Sequence, residues 1–147
     1  MNLIIRKIDE PEDFLKIFEL RIEVFIFEQK CPIEEEFDIY DNLNSDSIHF
    51  IAEDNDECIG TARIVRCENN KFKIQRVCIK KSKRKLSYGS KLMDKIHQYL
   101  IGLNIGIIEI SAQTSALKFY KNLGYLEEGS RYLEAGLEHI KMKKKLS

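Results

Sequence analysis

Apolar residues in this chain recur with two different periods, and the periods predict its elements. Leu3-Ile4-Ile5-Arg6-Lys7-Ile8 reads as a short strand at or near a sheet edge. Asp9-Glu10-Pro11 then opens a helix, because proline fits the first turn and acidic side chains favour the positive end of the helix dipole. Phe14, Leu15, Phe18, Arg21, Ile22, Phe25 and Phe27 continue at mostly three-and-four spacing, which carries the helix to Gln29, and Cys31-Pro32 ends it. Residues 30–47 are polar and acidic and predict a long loop with room for a short helical turn. His49–Glu53, Cys58–Cys67 and Phe72–Ile79 read as three strands joined by close polar turns, an antiparallel meander. A basic loop over 80–87 leads into a helix from Ser87 to Leu103, on which Tyr88, Leu92, Met93, Ile96, Leu100 and Leu103 keep the helical period; His97 falls at a position expected to face solvent. Ile107–Ser111 is nearly all apolar, the pattern of a strand in the centre of a sheet. Ser115 is the expected cap of a helix carrying Ala116, Leu117, Phe119, Tyr120 and Leu123, which Gly124 stops. Tyr125-Leu126 and His139–Lys143 are the last two strands, around a turn at Ala135-Gly136. The order β-α-β-β-β-α-β-α-β-β predicts an α/β (α+β) fold with a mixed sheet.

Length and composition agree with this pattern. The 147 residues are 44% hydrophobic, enough for one domain over residues 1–147 with a core of its own. Seven Gly and two Pro exclude collagen-like or linker-like chains. No apolar run approaches the roughly 20 residues of a membrane span, and the N-terminal apolar stretch is too short for a signal peptide. The expectation is a cytoplasmic protein without a membrane partner. Cys31, Cys58, Cys67 and Cys78 form no C-x-x-C pair and have no histidine at zinc-finger spacing, so they read as reduced thiols, and no metal site is expected.

Charge changes the picture. The formal net charge is zero, yet residues 9–57 hold 17 acids against three bases, a net −14, and residues 58–147 hold seven acids against 19 bases, a net +12. This polarity fits either a basic site for an anionic ligand beside an acidic surface, or charges that interleave on folding. The basic half concentrates its charge after a predicted strand. Lys80, Lys81, Lys83, Arg84 and Lys85 precede a helix start, where free backbone N–H groups and the positive dipole end favour a phosphate or pyrophosphate. The turn is neither a Walker A loop nor a dinucleotide-binding glycine fingerprint.

Arg84-x-x-Ser87-x-Gly89, following Val77-Cys78-Ile79, resembles the Arg/Gln-x-x-Gly-x-Gly/Ala acetyl-coenzyme A loop of the GNAT N-acetyltransferases. Ala116-Leu117-Lys118-Phe119-Tyr120-Lys121-Asn122-Leu123-Gly124-Tyr125 resembles a second segment of that family, and the element order is also the family's, so the likeness covers nearly the whole chain. Leu20-Arg21-x-x-Val24-Phe25-x-x-Glu28-Gln29-x-Cys31-Pro32, Ala112-Gln113 and His139-Ile140-x-Met142 look like its ElaA-type subgroup. The resemblance implies a GNAT-like, mostly antiparallel sheet of about six to seven strands flanked by helices. It implies acetyl-coenzyme A as co-substrate. The loop Arg84, Lys85, Leu86, Ser87, Tyr88, Gly89 and Ser90 would hold the pyrophosphate, the strand Val77, Cys78 and Ile79 together with Gln113 would hold the pantetheine arm, and Phe119 would pack beside them. Two positions depart from the pattern. Ser87 stands at the loop's middle glycine and Lys85 where many members carry glycine; a serine there is expected to keep φ below zero, its hydroxyl donating to a phosphate or capping the helix. Gln113 stands where many members have Asn.

The same resemblance makes Tyr120 the general acid that protonates the departing thiolate. The base is not marked. The strand 72–79 carries no carboxylate, and Glu28, His49, Glu109 and His139 are the candidates. Arg21, Glu28 and Gln29 lie near the end of the first helix and, with His139, are candidate acceptor-binding residues; Arg21 either binds a substrate carboxylate or ties the helix to the sheet. Three functions follow as expectations: acetyl transfer to a small-molecule or peptide amine, non-catalytic binding or sensing of an acyl-coenzyme A, and nucleic-acid binding through the lysine-rich loop. Overall neutrality argues against the last. The family also makes a homodimer an expectation.

Overall fold

The computed structural model describes residues 2–43 and 46–146. Seven strands form one sheet: β1 (Leu3–Lys7), β2 (Ser47–Asp54), β3 (Glu57–Arg66), β4 (Phe72–Ile79), β5 (Ile107–Gln113), β6 (Leu126–Glu134) and β7 (Leu137–Lys145). Their spatial order is β1-β2-β3-β4-β5-β7-β6. Every neighbouring pair is antiparallel except β4 and β5, which are parallel and are joined through α3 (Tyr88–Gly102). The α+β class and the strand number are those expected from the sequence.

Helices cover both faces. α3 buries Leu92, Met93, Ile96 and Leu100 against Ile64, Ile74, Ile108 and Ile110, the larger of the cores. α4 (Leu117–Asn122) adds Tyr120 to that core, and Tyr125, just beyond the helix, joins it. On the other face α1 (Asp13–Arg21) places Phe14 and Ile17 against Ile51, and its continuation packs Val24 and Phe25 against Cys78. Leu15 and Phe27, which the sequence pattern placed on the apolar stripe, are 73% and 68% exposed.

Three local expectations are corrected and one is met. The first helix does not run as one α-helix to Gln29: Ile22–Glu28 is a π-helix, closed by Gln29 N–H donating to the Val24 carbonyl. The loop 30–47 carries the short helical turn expected of it, α2 (Ile33–Glu36) after Pro32. Ser115 caps nothing; it lies in a 3-10 turn over Thr114–Ala116, and α4 starts without a side-chain cap. His97 is not on the surface. It is buried on the inner face of α3 with Nε2 2.7 Å from the Tyr125 hydroxyl, and burial pushes its pKa down to about 4. Among the described residues no helix is long and apolar enough to cross a membrane.

Candidate functional site

The sheet parts between β4 and β5. Their parallel ladder holds two register pairs, Lys73 with Glu109 and Ile74 with Ile110. Past Ile74 a cleft of about 1020 Å3 opens between the strands. β4 also carries a bulge there. Thr61 of β3 pairs with Cys78 and Arg63 with Gln75, so Arg76 and Val77 stand opposite Ala62 alone, with Arg76 at φ +55°. The extra residue re-phases the strand. Ile74, Val77 and Ile79 pack on the α3 face, whereas Cys78 turns to the α1 face.

One wall of the cleft is the turn from β4 into α3. Ile79 leads through a 3-10 turn at Lys81–Lys83 to the helix, and Lys85 and Ser87 both have left-handed backbone, φ +65° and +67°. The expected φ below zero at Ser87 is therefore wrong. The turn must bring the helix start against Phe119, where a Cβ on Gly89 would lie 3.2 Å from the ring. A left-handed non-glycine residue is disfavoured by roughly 1–2 kcal/mol, so the turn holds both residues against their own preference. Ser87 is the N-cap residue, but its side chain makes no cap hydrogen bond, so no side chain satisfies the first amides of α3 in this way. The five bases do not converge. Lys83, Arg84 and Lys85 line the cleft; Lys80 lies outside it, 2.8 Å from Glu57. Arg84 donates to the Ile79 carbonyl at 2.9 Å and forms a two-pronged ion pair with Glu28.

The other wall belongs to α1, its π-helical extension and α2. Gln29 reaches the cleft and accepts a hydrogen bond from Gln113 at 2.9 Å, joining the helix end to β5. Behind it lies a closed network. Arg21 donates to Glu36 at 2.7 Å and to Asp41 at 2.6 Å; Arg63 donates to Asp38 at 2.6 Å and Asp41 at 3.0 Å. Arg76 donates to the Glu35 and Glu36 carbonyls and lies 3.3 Å from the Glu36 carboxylate. Arg21 is 1% exposed. Burial pushes the Glu36 carboxyl up and the Arg76 guanidinium down, each against its ion pairs. Tyr120 sits at the cleft with its ring edge-on to Phe119 and Tyr125, and burial raises its phenol well above the ordinary value. The cysteines are free thiols. Burial pushes Cys58 up to about 12 and Cys78 higher still, so neither is a ready nucleophile.

The model of the acetyltransferase (GNAT) domain matches residues 19–146. The chain belongs to the GNAT acetyltransferase family. Among its relatives, the uncharacterized N-acetyltransferase YjcF of Bacillus subtilis is 33% identical over 146 residues, covering 98% of this chain and 99% of YjcF. Protein ElaA of Escherichia coli is 30% identical over 130 residues, covering 86% of this chain and 83% of ElaA. The crystal structure of Escherichia coli ElaA superposes with a TM-score of 0.87 at 25% identity, over 98% of this chain and 100% of ElaA. An acyl-CoA N-acyltransferase from Pseudomonas aeruginosa gives 0.86 at 26% identity, over 97% of this chain and 99% of that one.

Within this GNAT fold, most residues singled out from the sequence meet at the cleft. Val77, Cys78 and Ile79 line it from β4, Ser87, Tyr88, Gly89 and Ser90 from the turn into α3, and Gln113, Phe119, Tyr120 and His139 from the far side. The Tyr88 side chain is core, its hydroxyl 3.3 Å from Asp54, which leaves its backbone as the part facing the helix end. Leu86, Arg21 and Glu28 are not lining residues: Leu86 is half exposed, Arg21 is sealed in the network, and Glu28 is engaged by Arg84. Sequence reading missed Arg76 and Glu134, both of which line the cleft. Their placement depends on a bulge and a hairpin, neither of which has a periodic signature.

Proposed function

We propose that this protein is an N-acetyltransferase that takes acetyl-coenzyme A into the cleft between β4 and β5 and passes the acetyl group to a primary amine by direct attack in a ternary complex. The carrying observation is the opening of the parallel pair beside a helix start whose amides no side chain caps. Those amides fit a pyrophosphate, because the helix dipole favours an anion there and Lys83, Arg84 and Lys85 line the same cleft, Arg84 paired with Glu28 and Lys83 3.5 Å from Asp54. The Gln113 carboxamide and the free edge of β4 suit the amides of the pantetheine arm. Val77 lies outside both strand ladders, which supports its N–H as the donor that polarises the thioester carbonyl. Tyr120 is the general acid. Its raised pKa keeps the phenol protonated, and the same dry surroundings make the leaving thiolate a stronger base. The acceptor, a small-molecule or peptide amine, approaches past Gln29, Glu35 and His139.

The test is thiol release from acetyl-coenzyme A with a panel of amines (spermidine, kanamycin and a lysine-containing peptide), beside calorimetry with coenzyme A. Tyr120→Phe is expected to lower kcat about 10²–10³-fold with coenzyme affinity unchanged. Tight coenzyme binding without turnover of any amine would instead make the protein a non-catalytic acyl-coenzyme A binding domain, and no coenzyme binding would overturn the reading.

A further inference from the structure

Direct attack needs a neutral amine, so a group at the cleft must accept a proton, and β4 has no carboxylate to do so. Of the four candidate bases, three are elsewhere. His49 lies under α1 against Phe14, its Nε2 2.8 Å from the Tyr40 carbonyl oxygen. Glu28 is engaged by Arg84, and Glu109 faces Lys73, Lys141 and Lys143. Glu36 does reach the cleft but is held by Arg21 and Arg76. His139 is left.

Its surroundings are built. His139 is buried on β7, opposite Gln113 of β5 and Tyr132 of β6. Nδ1 lies 2.8 Å from the Leu137 carbonyl oxygen. A carbonyl only accepts, so Nδ1 carries the proton and the lone pair of the neutral ring is on Nε2. Nε2 is 3.5 Å from the Glu134 carboxylate. A carboxylate has nothing to donate to that lone pair, but gains a charge-assisted bond once Nε2 is protonated. Glu134 is itself held: Ser111 Oγ donates to it at 3.3 Å and is bonded in turn to the Tyr132 hydroxyl. The Tyr132 ring stacks on the imidazole, 6.1 Å between centroids. Lys141, two residues along β7, is drawn off by Glu109 and Glu128 at 3.7 and 3.6 Å. Glu134, Ser111 and His139 all line the cleft.

We infer that His139 is the general base of the acetyl transfer and that Glu134 is the positioning residue which orients the ring and stabilises its cation. The inference rests on the acetyl-transfer reading above. His139 Nε2 takes a proton from the acceptor's ammonium group, and the neutral amine attacks the thioester carbon. The C–N bond forms and the C–S bond breaks. Tyr120 gives its proton to the departing sulfur and regains one from the acylated nitrogen, and the imidazolium returns its proton to water.

The experiment uses acetyl-coenzyme A and whichever of spermidine, kanamycin or the lysine peptide the wild-type protein acetylates fastest. His139→Ala is expected to lower kcat about 10²–10³-fold, abolish the rise of kcat with pH, leave coenzyme affinity unchanged and respond to added imidazole. Glu134→Gln keeps the shape and removes the charge, and is expected to lower kcat on the order of tenfold with KM for the amine unchanged. Should thermal melting show that His139→Ala does not fold, His139→Asn, which keeps a donor for the Leu137 carbonyl, carries the same expectation. A folded variant with kcat within about threefold of wild type and an unaltered pH profile overturns the inference and leaves acetyl transfer standing. A wild-type protein that turns over no amine overturns both.

Discussion

The two walls of the cleft hold their charges in opposite ways. On the α1–α2 side, Arg21, Arg63 and Arg76 meet Glu36, Asp38 and Asp41 in a mutually satisfied set, much of it out of water. On the α3 side, Lys83, Arg84 and Lys85 reach the cleft beside uncapped amides, and two residues hold left-handed backbone without being glycine. The paired set on the first wall is neutral and fixed, so it shapes the cleft without attracting ions from a distance. The second wall is matched less fully: Arg84 pairs with Glu28 and Lys83 lies 3.5 Å from Asp54, while Lys85 and Ser87 hold left-handed backbone beside the uncapped amides. The sequence's acidic and basic halves therefore do not map simply onto two ligand preferences. Glu36, Asp38 and Asp41 of the acidic part are matched by arginines from α1, β3 and β4.

The contrast can be broken most strongly from the paired side. Arg21→Ala leaves Glu36 and Asp41 short of a buried partner and is expected to lower stability by about 3–5 kcal/mol in urea unfolding. A loss below about 1 kcal/mol, the range of an exposed pair, would show that the network does not hold the wall. Acid sharpens it next. Burial lowers His97, on the inner face of α3, to about 4, below the unfolded value of roughly 6.5, so the unfolded chain binds the extra proton first. Its contribution is present above pH 6.5 and is lost as pH falls through about 4, some 3 kcal/mol in all. His49, beneath α1, is shifted the same way by burial. His97→Gln should flatten the stability curve in that window, and an unchanged slope would assign the acid sensitivity elsewhere. The smallest effect is expected on the loop. Ser87→Gly should raise stability by about 1 kcal/mol and tighten coenzyme A binding in calorimetry; a destabilised variant would mean that the serine hydroxyl makes up for its backbone.

What the sequence showed and what it hid divide along the range of the interactions. The element order was legible because apolar periodicity is local: Leu92, Met93, Ile96 and Leu100 announce the α3 core face within one segment. The strand–turn–helix unit after Ile79 was legible for the same reason. The closed network was not, since Arg21 finds Asp41 twenty residues away and Arg63 finds Asp38 across twenty-five. His97 looked solvent-facing because its partner, Tyr125, comes from beyond α4. The backbone at Ser87 was misread because its φ of +67° runs against the serine's own preference, which is all that the local sequence displays. Glu134 and His139 come together only because β6 and β7 are longer than their apolar patterns, and fold back at Ala135-Gly136.

The bulge in β4 carries a consequence of a different kind. In an uninterrupted strand, Ile74 and Cys78 would share a face and Val77 would oppose them. Because Arg76 and Val77 stand against one residue of β3, the alternation changes parity midway, and Val77 joins Ile74 while Cys78 crosses to the other side. A deletion of Arg76 would remove the bulge but leave Val77, Cys78 and Ile79 opposite Ala62, Thr61 and Gly60, on the faces they now occupy. Straightening the strand with Arg76 retained, or adding one residue beyond it, would instead invert every side chain downstream and expose the positions now buried on each face. The cleft depends on the count of residues in that strand as much as on their identities.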